Sequence, residues 1–305
     1  MTDQLKKYLF QDHSTRVQAV KLDAAWQTGL AHQHYPECIQ RLLGELASAA
    51  VLLASNLKFE GSVVLQLQGD GPVALIVVEC AAGLNIRATA TLREGHGIPT
   101  DGTLQSLLNT HGQGRFIVLL DPSGKTTGMS PYRGVVPLDG STVSEVLEHY
   151  MHNSEQLETR LWLAADARHC AGLLLQRLPD AGGNDIIDPD QARDTWERAG
   201  MLASTLQPAE LLQLDTDTLI HRLFWEETLL AFEPQPVQWW CPCTRKRVAN
   251  MLRTLGRDEV ESILAERGNV EVKCNFCGKP YQFDAIDCAG LFTKHISSQG
   301  GQSLH

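Results

Sequence analysis

Four cysteines near the C-terminus constrain this chain more than any other sequence feature. Cys241 and Cys243 form a C-x-C pair in WWCPCTRKR, and Cys274 and Cys277 form a C-x-x-C pair in VKCNFCGKP, with thirty residues between the pairs. Structural zinc sites take four sulfur or nitrogen ligands in a tetrahedron, and each short pair can supply two of them. We therefore predict that these four cysteines bind one Zn²⁺ ion.

The two cysteine pairs have different spacings, and one of these spacings is more typical of zinc sites than the other. C-x-x-C followed by Gly278 is typical of a zinc knuckle, where glycine relieves the tight turn around the metal. C-x-C is rarer, because a single intervening residue leaves little slack for two bonds to one ion. The alternative interpretation is a set of buried, unpaired thiols.

Composition and charge indicate a globular protein with an acidic body. The 305 residues are 43% hydrophobic and 20% charged, which is ordinary for a folded domain with a sizeable core. The formal net charge is −10, and residues 241–305 carry nine Lys/Arg against seven Asp/Glu, so residues 1–240 carry −12. Because nucleic-acid affinity depends largely on phosphate neutralisation, no DNA partner is expected.

The termini and the apolar runs predict a cytoplasmic location without a membrane partner. The start, MTDQLKKYLF, has no apolar segment of signal-peptide length, and no stretch approaches the roughly 18 apolar residues of a membrane span. In a reducing compartment paired cysteines indicate metal or redox chemistry. The other four cysteines are predicted to be small buried side chains: Cys38, Cys80, Cys170 and Cys288.

Hydrophobic periodicity before residue 188 predicts an α+β domain. Residues 36–55 are predicted to form a helix with Leu42 and Leu46 on one face, and residues 142–153 a second helix with a Thr142–Glu145 capping box. Alternating apolar residues predict hairpins across 57–94 and 114–139, and the last strand of the domain is expected to end near Pro179. The predicted fold is an antiparallel-sheet core with packed helices.

The rest of the chain predicts two further regions. Residues 190–233 have helical periodicity, and the predicted module after residue 240 has two short helices, two strands flanking the knuckle and a last helix capped by Asp284. We predict three regions: an α+β core at 1–187, a helical linker at 188–240 and a small four-cysteine zinc domain at 241–305.

Sequence motifs give no sign of an enzyme. The chain has no Walker loop, dinucleotide fingerprint or G-x-S-x-G elbow, and no residue pair marks catalytic acid–base chemistry. Two other interpretations remain open. A zinc ribbon could bind RNA or a protein through a basic face, and a C-x-x-C dithiol could act as an oxidoreductase. The candidate basic face comprises Arg245, Lys246, Arg247, Arg253 and Arg257.

The predicted metal module has the properties of a switch. Thiolates are nucleophilic, and their oxidation removes the ligands that hold the metal. Structural zinc contributes about 10–16 kcal/mol to the folding of small modules, which is more than a domain of this size has in reserve. Loss of zinc is therefore expected to unfold the module.

The motifs and several long segments resemble the redox-regulated 33 kDa heat-shock chaperone family. Beside the C-x-C and C-x-x-C pairs, the matching segments run through nearly the whole chain: DQLKKYLF, LLGELASAAVLLASNLKFEGSVVLQLQGDGPV, YRGVVPL, HYMHNSEQLETRL and DEVESILAERGNVEVKCNFCGKPYQF. Two positions depart from the family pattern. Glu158 stands where the family places proline, and Cys288 is an additional cysteine that could compete in disulfide pairing.

The resemblance implies a function and the residues that carry it. Family members are ATP-independent holdases that are inactive when reduced and zinc-bound. The resemblance implies that oxidation releases zinc and forms Cys241–Cys243 and Cys274–Cys277 disulfides. The module and the linker are then expected to unfold. The exposed apolar surface is then expected to bind unfolding client proteins, and the chain to form a homodimer. A disulfide within C-x-C closes a very small ring, which favours reversible formation.

Overall fold

The computed structural model describes residues 3–57, 60–122, 130–179 and 188–292. It divides the chain into two compact units, Met1–Trp240 and Cys241–His305. The predicted linker at 188–240 falls within the first unit. The predicted boundary at residue 187 lies outside the described residues, so the linker as a separate region stays a prediction.

The first unit is built around a long helix, α2, at Glu37–Ala54, close to the predicted 36–55. The helix is apolar on nearly every side, as expected of a helix with neighbours all around it. Leu42, Leu43 and Leu46 are buried together with small residues such as Ala47 and Ala50. One hydrophobic core joins α2 to strands of two different sheets, so α2 lies between the sheets.

The first sheet is antiparallel and draws its strands from distant parts of the chain. Its order is β10-β1-β2-β9-β8, with β11 also pairing with β1. The strands are β1 Gln4–Phe10, β2 Thr15–Leu22, β8 Thr159–Ala165, β9 Cys170–Arg177, β10 Leu229–Ala231 and β11 Gln235–Pro236.

The second sheet contains the predicted hairpins. Its order is β12-β5-β4-β3-β6-β7, antiparallel except for the parallel pair of β12 with β5. Residues on β3 alternate as predicted, with Val63, Leu65 and Leu67 buried. The strands are β3 Gly61–Gln68, β4 Val73–Ala81, β5 Asn85–Leu92, β6 Arg115–Pro122, β7 Tyr132–Pro137 and β12 Gln238–Trp239.

Three smaller helices complete this part of the first unit: α1 at Ala24–Leu30, α3 at Leu104–Leu108 and α4 at Val143–Asn153. The predicted capping box of α4 is half correct. The Thr142 hydroxyl accepts a hydrogen bond from the Glu145 backbone N–H, but the Glu145 carboxylate accepts from the N–H of Ser141 instead of Thr142. No helix within the described ranges is long and apolar enough to cross a membrane.

Three helices of the predicted linker cover the outer face of the first sheet: α5 at Pro189–Ala203, α6 at Pro208–Gln213 and α7 at Thr216–Phe224. The predicted apolar faces of α5 and α7 are buried in one core with residues from β1, β2 and β9. Residues of the two predicted faces in that core are Trp196, Ala199, Ala203, Leu206, Leu219, Ile220, Leu223 and Phe224.

Polar contacts also hold this helical layer on the sheet. Asp217 at the start of α7 forms an ion pair with Lys6 at 2.5 Å and accepts a hydrogen bond from the Tyr8 hydroxyl at 3.1 Å. The Arg160 guanidinium on β8 lies 5.0 Å from the centre of the Trp196 ring on α5, a favourable cation–π distance. The layer is thus fixed by apolar burial and by charge.

Two predictions about the end of the first unit are wrong. The helical pattern was expected to run to residue 233, but α7 ends at Phe224 and Leu229–Ala231 is a strand. Consequently β9 is not the last strand of the domain. Later in the chain, β10 and β11 pair into the first sheet and β12 pairs into the second. The physical reason is pairing: Ala231 lies opposite Tyr8, so a free edge of β1 organises a short apolar segment that has helical periodicity by itself.

The second unit has the predicted elements. Helices α8 at Arg245–Leu255 and α9 at Arg257–Arg267 precede a two-stranded antiparallel hairpin and a last helix, α10 at Ala285–Phe292. The hairpin strands are β13 Val270–Lys273 and β14 Pro280–Phe283. The Asp284 carboxylate accepts a hydrogen bond from the Asp287 N–H at 2.7 Å, which confirms the predicted N-cap of α10.

The tight packing of α2 gives a testable prediction. A Cβ at Gly44 would lie 2.5 Å from Ala165 Cβ and 3.1 Å from Cys170 Cβ. Gly44→Ala should therefore lower the free energy of unfolding of the first unit by about 1–2 kcal/mol, since overpacking outweighs the gain in helix propensity. Urea unfolding followed by circular dichroism measures the change.

Gly97→Ala is the control for this substitution. An added Cβ at Gly97 has no neighbour within 4 Å, so its effect should stay within about 0.5 kcal/mol. Equal stability of Gly44→Ala and the wild type would contradict the close approach of α2 to the first sheet.

Candidate metal centre

The four predicted cysteines converge in the second unit. Their Sγ atoms all lie within 4.8 Å of one another, and the structure shows this as the one group of potential metal ligands among the described residues. Two of the sulfur contacts cross between the two motifs: Cys241 Sγ to Cys274 Sγ is 3.7 Å and Cys243 Sγ to Cys277 Sγ is 3.3 Å.

These distances fit a tetrahedral metal site. Zn–S bonds of about 2.3 Å at tetrahedral angles place the sulfur atoms about 3.8 Å apart. The observed contacts lie near that value and are much longer than the roughly 2.05 Å of a disulfide bond. The four thiols are therefore arranged to bind a metal ion.

The hairpin of the second unit shapes the C-x-x-C half of the centre. The turn between β13 and β14 carries Cys274 and Cys277, and the Gly278 N–H donates to the Cys274 carbonyl at 2.8 Å. Gly278 has φ of 68°, a left-handed conformation that strongly favours glycine. The predicted knuckle glycine is confirmed.

The start of α8 positions the C-x-C half. Thr244 is the N-cap of this helix, and its hydroxyl accepts a hydrogen bond from the Arg247 N–H at 3.2 Å. Because Cys243 directly precedes the N-cap, it lies at the N-terminal end of the helix, where the helix dipole favours negative charge. This location favours the thiolate form of Cys243.

Tyr281 is a residue of the centre that sequence analysis missed. Its hydroxyl donates a hydrogen bond to Cys243 Sγ at 3.2 Å. A tyrosine on a strand beside a knuckle is indistinguishable by pattern from a core residue, so no sequence signal marks this role.

The surroundings of Cys243 and Cys277 shift the pKa values of their thiols in opposite directions. Burial alone would raise the pKa of Cys243, but hydrogen bonds from Tyr281 and the neighbouring cysteines outweigh it and lower the pKa to about 7. Burial, together with hydrogen bonds to the other thiols, raises the pKa of Cys277 to about 12. Cys243 is therefore the readiest thiolate of the pair, and a bound cation would favour ionisation of both.

Cys288 is not part of this group. It is buried in the small core of the second unit on α10, and its Sγ atom lies 3.9 Å from the Phe283 carbonyl oxygen. Cys38, Cys80 and Cys170 are buried in the first unit, as predicted.

Most of the predicted basic face of the second unit is used within the unit. Arg245 lies 4.2 Å from the centre of the Phe283 ring and pairs with Asp287 at 2.6 Å. Three further arginines have partners of their own: Arg247 with the Pro242 carbonyl, Arg253 with the Leu291 carbonyl and Arg257 with Glu261. These contacts indicate that the arginines support the fold.

Comparisons with known proteins agree on one family. The model of the family described as "Hsp33 protein" matches residues 3–284. The chain is 42% identical over 306 residues to a 33 kDa chaperonin of Methylobacillus flagellatus, covering 100% of this chain and 99% of the relative. It is 39% identical over 303 residues to a 33 kDa chaperonin of Nitrosococcus oceani, covering 99% of each.

A solved structure agrees in fold. The crystal structure of the 33 kDa chaperonin from Thermotoga maritima superposes with a TM-score of 0.77 and 21% sequence identity, covering 95% of this chain and 97% of that one. The similarity extends over both the sheet-rich core and the predicted C-terminal module.

The geometry of the centre predicts which cysteines hold metal. Cys274→Ser should abolish stoichiometric metal binding, because a hydroxyl is a much poorer ligand than a thiolate for a four-sulfur site. Mass spectrometry of the intact reduced protein and elemental analysis measure the bound metal. Loss of the metal should also remove the folded signal of the second unit in NMR spectra.

Cys288→Ser provides the matched control, since it removes a thiol from the same unit but outside the group of four. It should keep one metal ion per chain. Retention of a full metal equivalent by Cys274→Ser would argue against the four-sulfur site.

Proposed function

Since the chain belongs to the Hsp33 protein family, we propose that it is a redox-regulated, ATP-independent holdase. The family and the chaperonin relatives make it a chaperone rather than an enzyme, and a chaperone binds client proteins. The proposed part is the switch: inactive when reduced and metal-bound, active after oxidation. The observation that carries it is the convergence of four cysteine sulfurs within 4.8 Å.

The proposed ligands are Cys241, Cys243, Cys274 and Cys277, and the proposed metal is one Zn²⁺ in the reduced state. Four thiolates in tetrahedral arrangement favour zinc over the hard cations, which take oxygen ligands. When bound, zinc supplies the cross-link that holds the C-x-C segment against the hairpin. The residues of the chain keep the sulfur atoms in place through Thr244, Gly278 and Tyr281.

Oxidation is proposed to form Cys241–Cys243 and Cys274–Cys277 disulfides. As each S–S bond forms, two thiolates lose two electrons to one hydrogen peroxide, whose O–O bond breaks and which takes up two protons to give two waters. Two peroxides are therefore consumed per chain. Two of the sulfur contacts cross between the motifs, but a tetrahedral cluster brings all four sulfurs together and does not select a pairing. Once the module opens, neighbours in sequence have the highest effective concentration.

Loss of the metal is proposed to unfold the second unit. Its core consists of a small group of buried residues, including Leu252, Val260, Tyr281 and Phe283. Metal coordination can contribute about 10–16 kcal/mol to such a module, comparable with the whole stability of a typical domain. Cys288 lies in this core, so unfolding would also expose a fifth thiol.

The client-binding surface is proposed to lie under the predicted linker. Helices α5 and α7 cover apolar residues of the first sheet, including Phe10, Val17 and Leu173. Undocking of residues 188–240 would expose this sheet face and the apolar helix faces together. Large exposed apolar surfaces bind unfolded chains and favour association between copies of a protein. The oxidised protein is therefore proposed to form a homodimer.

The proposed location is the cytoplasm, where a reducing environment keeps the thiols metal-bound until oxidative stress. No DNA or membrane partner is proposed. A zinc ribbon that binds RNA or protein without a switch is less well supported, because Arg245, Arg253 and other basic residues of the second unit have partners within it.

The switch predicts that three quantities change together. After treatment with peroxide at raised temperature, the protein should release one zinc and lose four thiols, because oxidation of both cysteine pairs removes the thiolates that bind the metal. The same sample should gain the ability to suppress aggregation of a thermally unfolding client. A chelating dye, a thiol assay and light scattering measure the three.

Reduced, zinc-bound protein heated without peroxide is the control and should suppress little aggregation. Retained zinc with unchanged aggregation after peroxide would refute the switch. It would leave a structural zinc site in a chaperone regulated by other means.

A substitution in the linker tests the proposed client surface without oxidation. Ile220 is 5% exposed on the buried face of α7, and Ile220→Asp places a charge in an apolar interface. The variant should lose protection from hydrogen exchange across 190–224 and suppress aggregation while reduced and zinc-bound. Hydrogen exchange, zinc content and light scattering test this.

His221→Asp introduces the same side chain at the next, exposed position of α7 and should behave as the wild type. If Ile220→Asp undocks the linker but leaves the reduced protein inactive, the covered sheet face is not the client surface.

A further inference from the structure

A cleft of about 420 Å³ opens in the first unit, next to the C-terminal end of α2 and on the same face of the first sheet as that helix. Strands β1 and β2 form its floor, and residues of the segment that contains β10 and β11 form its rim. We refer to it as the basic cleft. Its polar lining and rim include Lys7, Arg16, Gln18, Asn56, Phe232 and Glu233.

Two cationic side chains meet in this cleft and bond only to neutral groups. Lys7 Nζ donates to the Ser55 carbonyl at 2.5 Å, and Arg16 Nε donates to Gln176 Oε1 at 2.9 Å. Within the described part of the chain, neither cation forms an ion pair with a carboxylate. Both are partly buried.

The two charges destabilise each other. Burial and the charge of Arg16 lower the pKa of Lys7, and burial lowers the pKa of Arg16. The Lys7–Ser55 hydrogen bond places the ammonium at the C-terminal end of α2, whose dipole is equivalent to about half a negative charge. That partial charge cannot neutralise two cations, so among the residues that the structure describes the positive charge of the cleft is uncompensated.

The floor of the cleft is rigid. Gln18 is 1% exposed, and its side-chain amide forms two reciprocal hydrogen bonds with Asn56, at 2.6 Å and 3.2 Å. Asn56 Nδ2 also donates to the Leu52 carbonyl at 3.2 Å. A ligand entering the cleft would therefore meet fixed polar groups, which limits the entropy lost on binding.

The rim does not supply the missing counter-ion. Glu233 is exposed, and no ion pair joins it to Lys7 or Arg16 in the residues that the structure describes. Phe232 is 54% exposed and offers an apolar wall beside the charged floor. The cleft thus combines a doubly positive floor with an open entrance.

We propose that the basic cleft binds a small phosphate-bearing ligand, with its phosphate group between Lys7 and Arg16. A phosphate at neutral pH carries up to two negative charges, which match the two cations. Gln176 Oε1 accepts hydrogen bonds from both Nε and Nη2 of Arg16, so Nη1 and the second hydrogen of Nη2 are left to donate to phosphate oxygens. The Lys7 ammonium adds a point charge. The phosphate would supply the negative charge that the partly buried Lys7 and Arg16 lack among the described residues.

Titration calorimetry with inorganic phosphate, on the reduced full-length protein in chloride buffer, tests the site. The wild type should show saturable binding of one phosphate per chain. Lys7→Gln and Arg16→Gln should each weaken it by about tenfold or more, since each loses a charge-assisted hydrogen bond. Arg133→Gln, which removes an exposed cation from β7 in the second sheet, should bind phosphate as the wild type does.

A gain-of-affinity variant guards against misfolding of the two floor variants. Glu233→Lys reverses the rim charge at an exposed position and should tighten phosphate binding several-fold, about threefold to tenfold. Failure of the wild type to bind phosphate saturably would overturn the site. Binding that is unchanged in both Lys7→Gln and Arg16→Gln, or in Glu233→Lys, would place the phosphate elsewhere and equally overturn it.

Discussion

Convergence of four cysteine sulfurs is the constraint on which the second unit depends. The unit has few buried residues, and a hairpin, three short helices and the C-x-C segment meet around the thiols. Its local devices all serve that convergence: the left-handed Gly278 turns the knuckle, Thr244 starts α8 directly after Cys243, and Tyr281 donates to Cys243. A small module that depends on thiolate ligands would lose its fold when they are oxidised, and this is the physical argument behind the proposed switch.

The first unit is organised by a different interaction, the burial of α2 between two sheets. This core leaves the outer face of the first sheet apolar, and helices α5 to α7 cover it. The cover has its own charged contacts, such as Lys6 with Asp217. If this layer came away, as proposed, the sheet would present an exposed apolar surface of the kind that binds other proteins.

Sequence patterns predicted the elements whose signals are local. The helix at 36–55, the alternation of Val63, Leu65 and Leu67, and the cap at Asp284 all depend on neighbouring residues. Sequence patterns do not predict strands β1 and β2, and they predict helix where β10 forms. Pairing of Tyr8 with Ala231 joins positions more than two hundred residues apart, and such partners decide short or mixed strands. The basic cleft was not predicted either, because Lys7 and Arg16 come together only when β1 pairs with β2.

The sequence by itself determined the chemical groups of this protein: four cysteine thiols in two short pairs, an acidic body, and amphipathic helices after residue 188. Those properties follow from residue type and spacing along the chain, so no fold is needed to recognise them. Only the tertiary structure decided that all four sulfurs meet, that Tyr281 contacts them, that α5 and α7 cover a sheet face, and that two cations share a cleft. Each of these depends on how strands, helices and loops pack against one another, and burial of their apolar faces drives that packing.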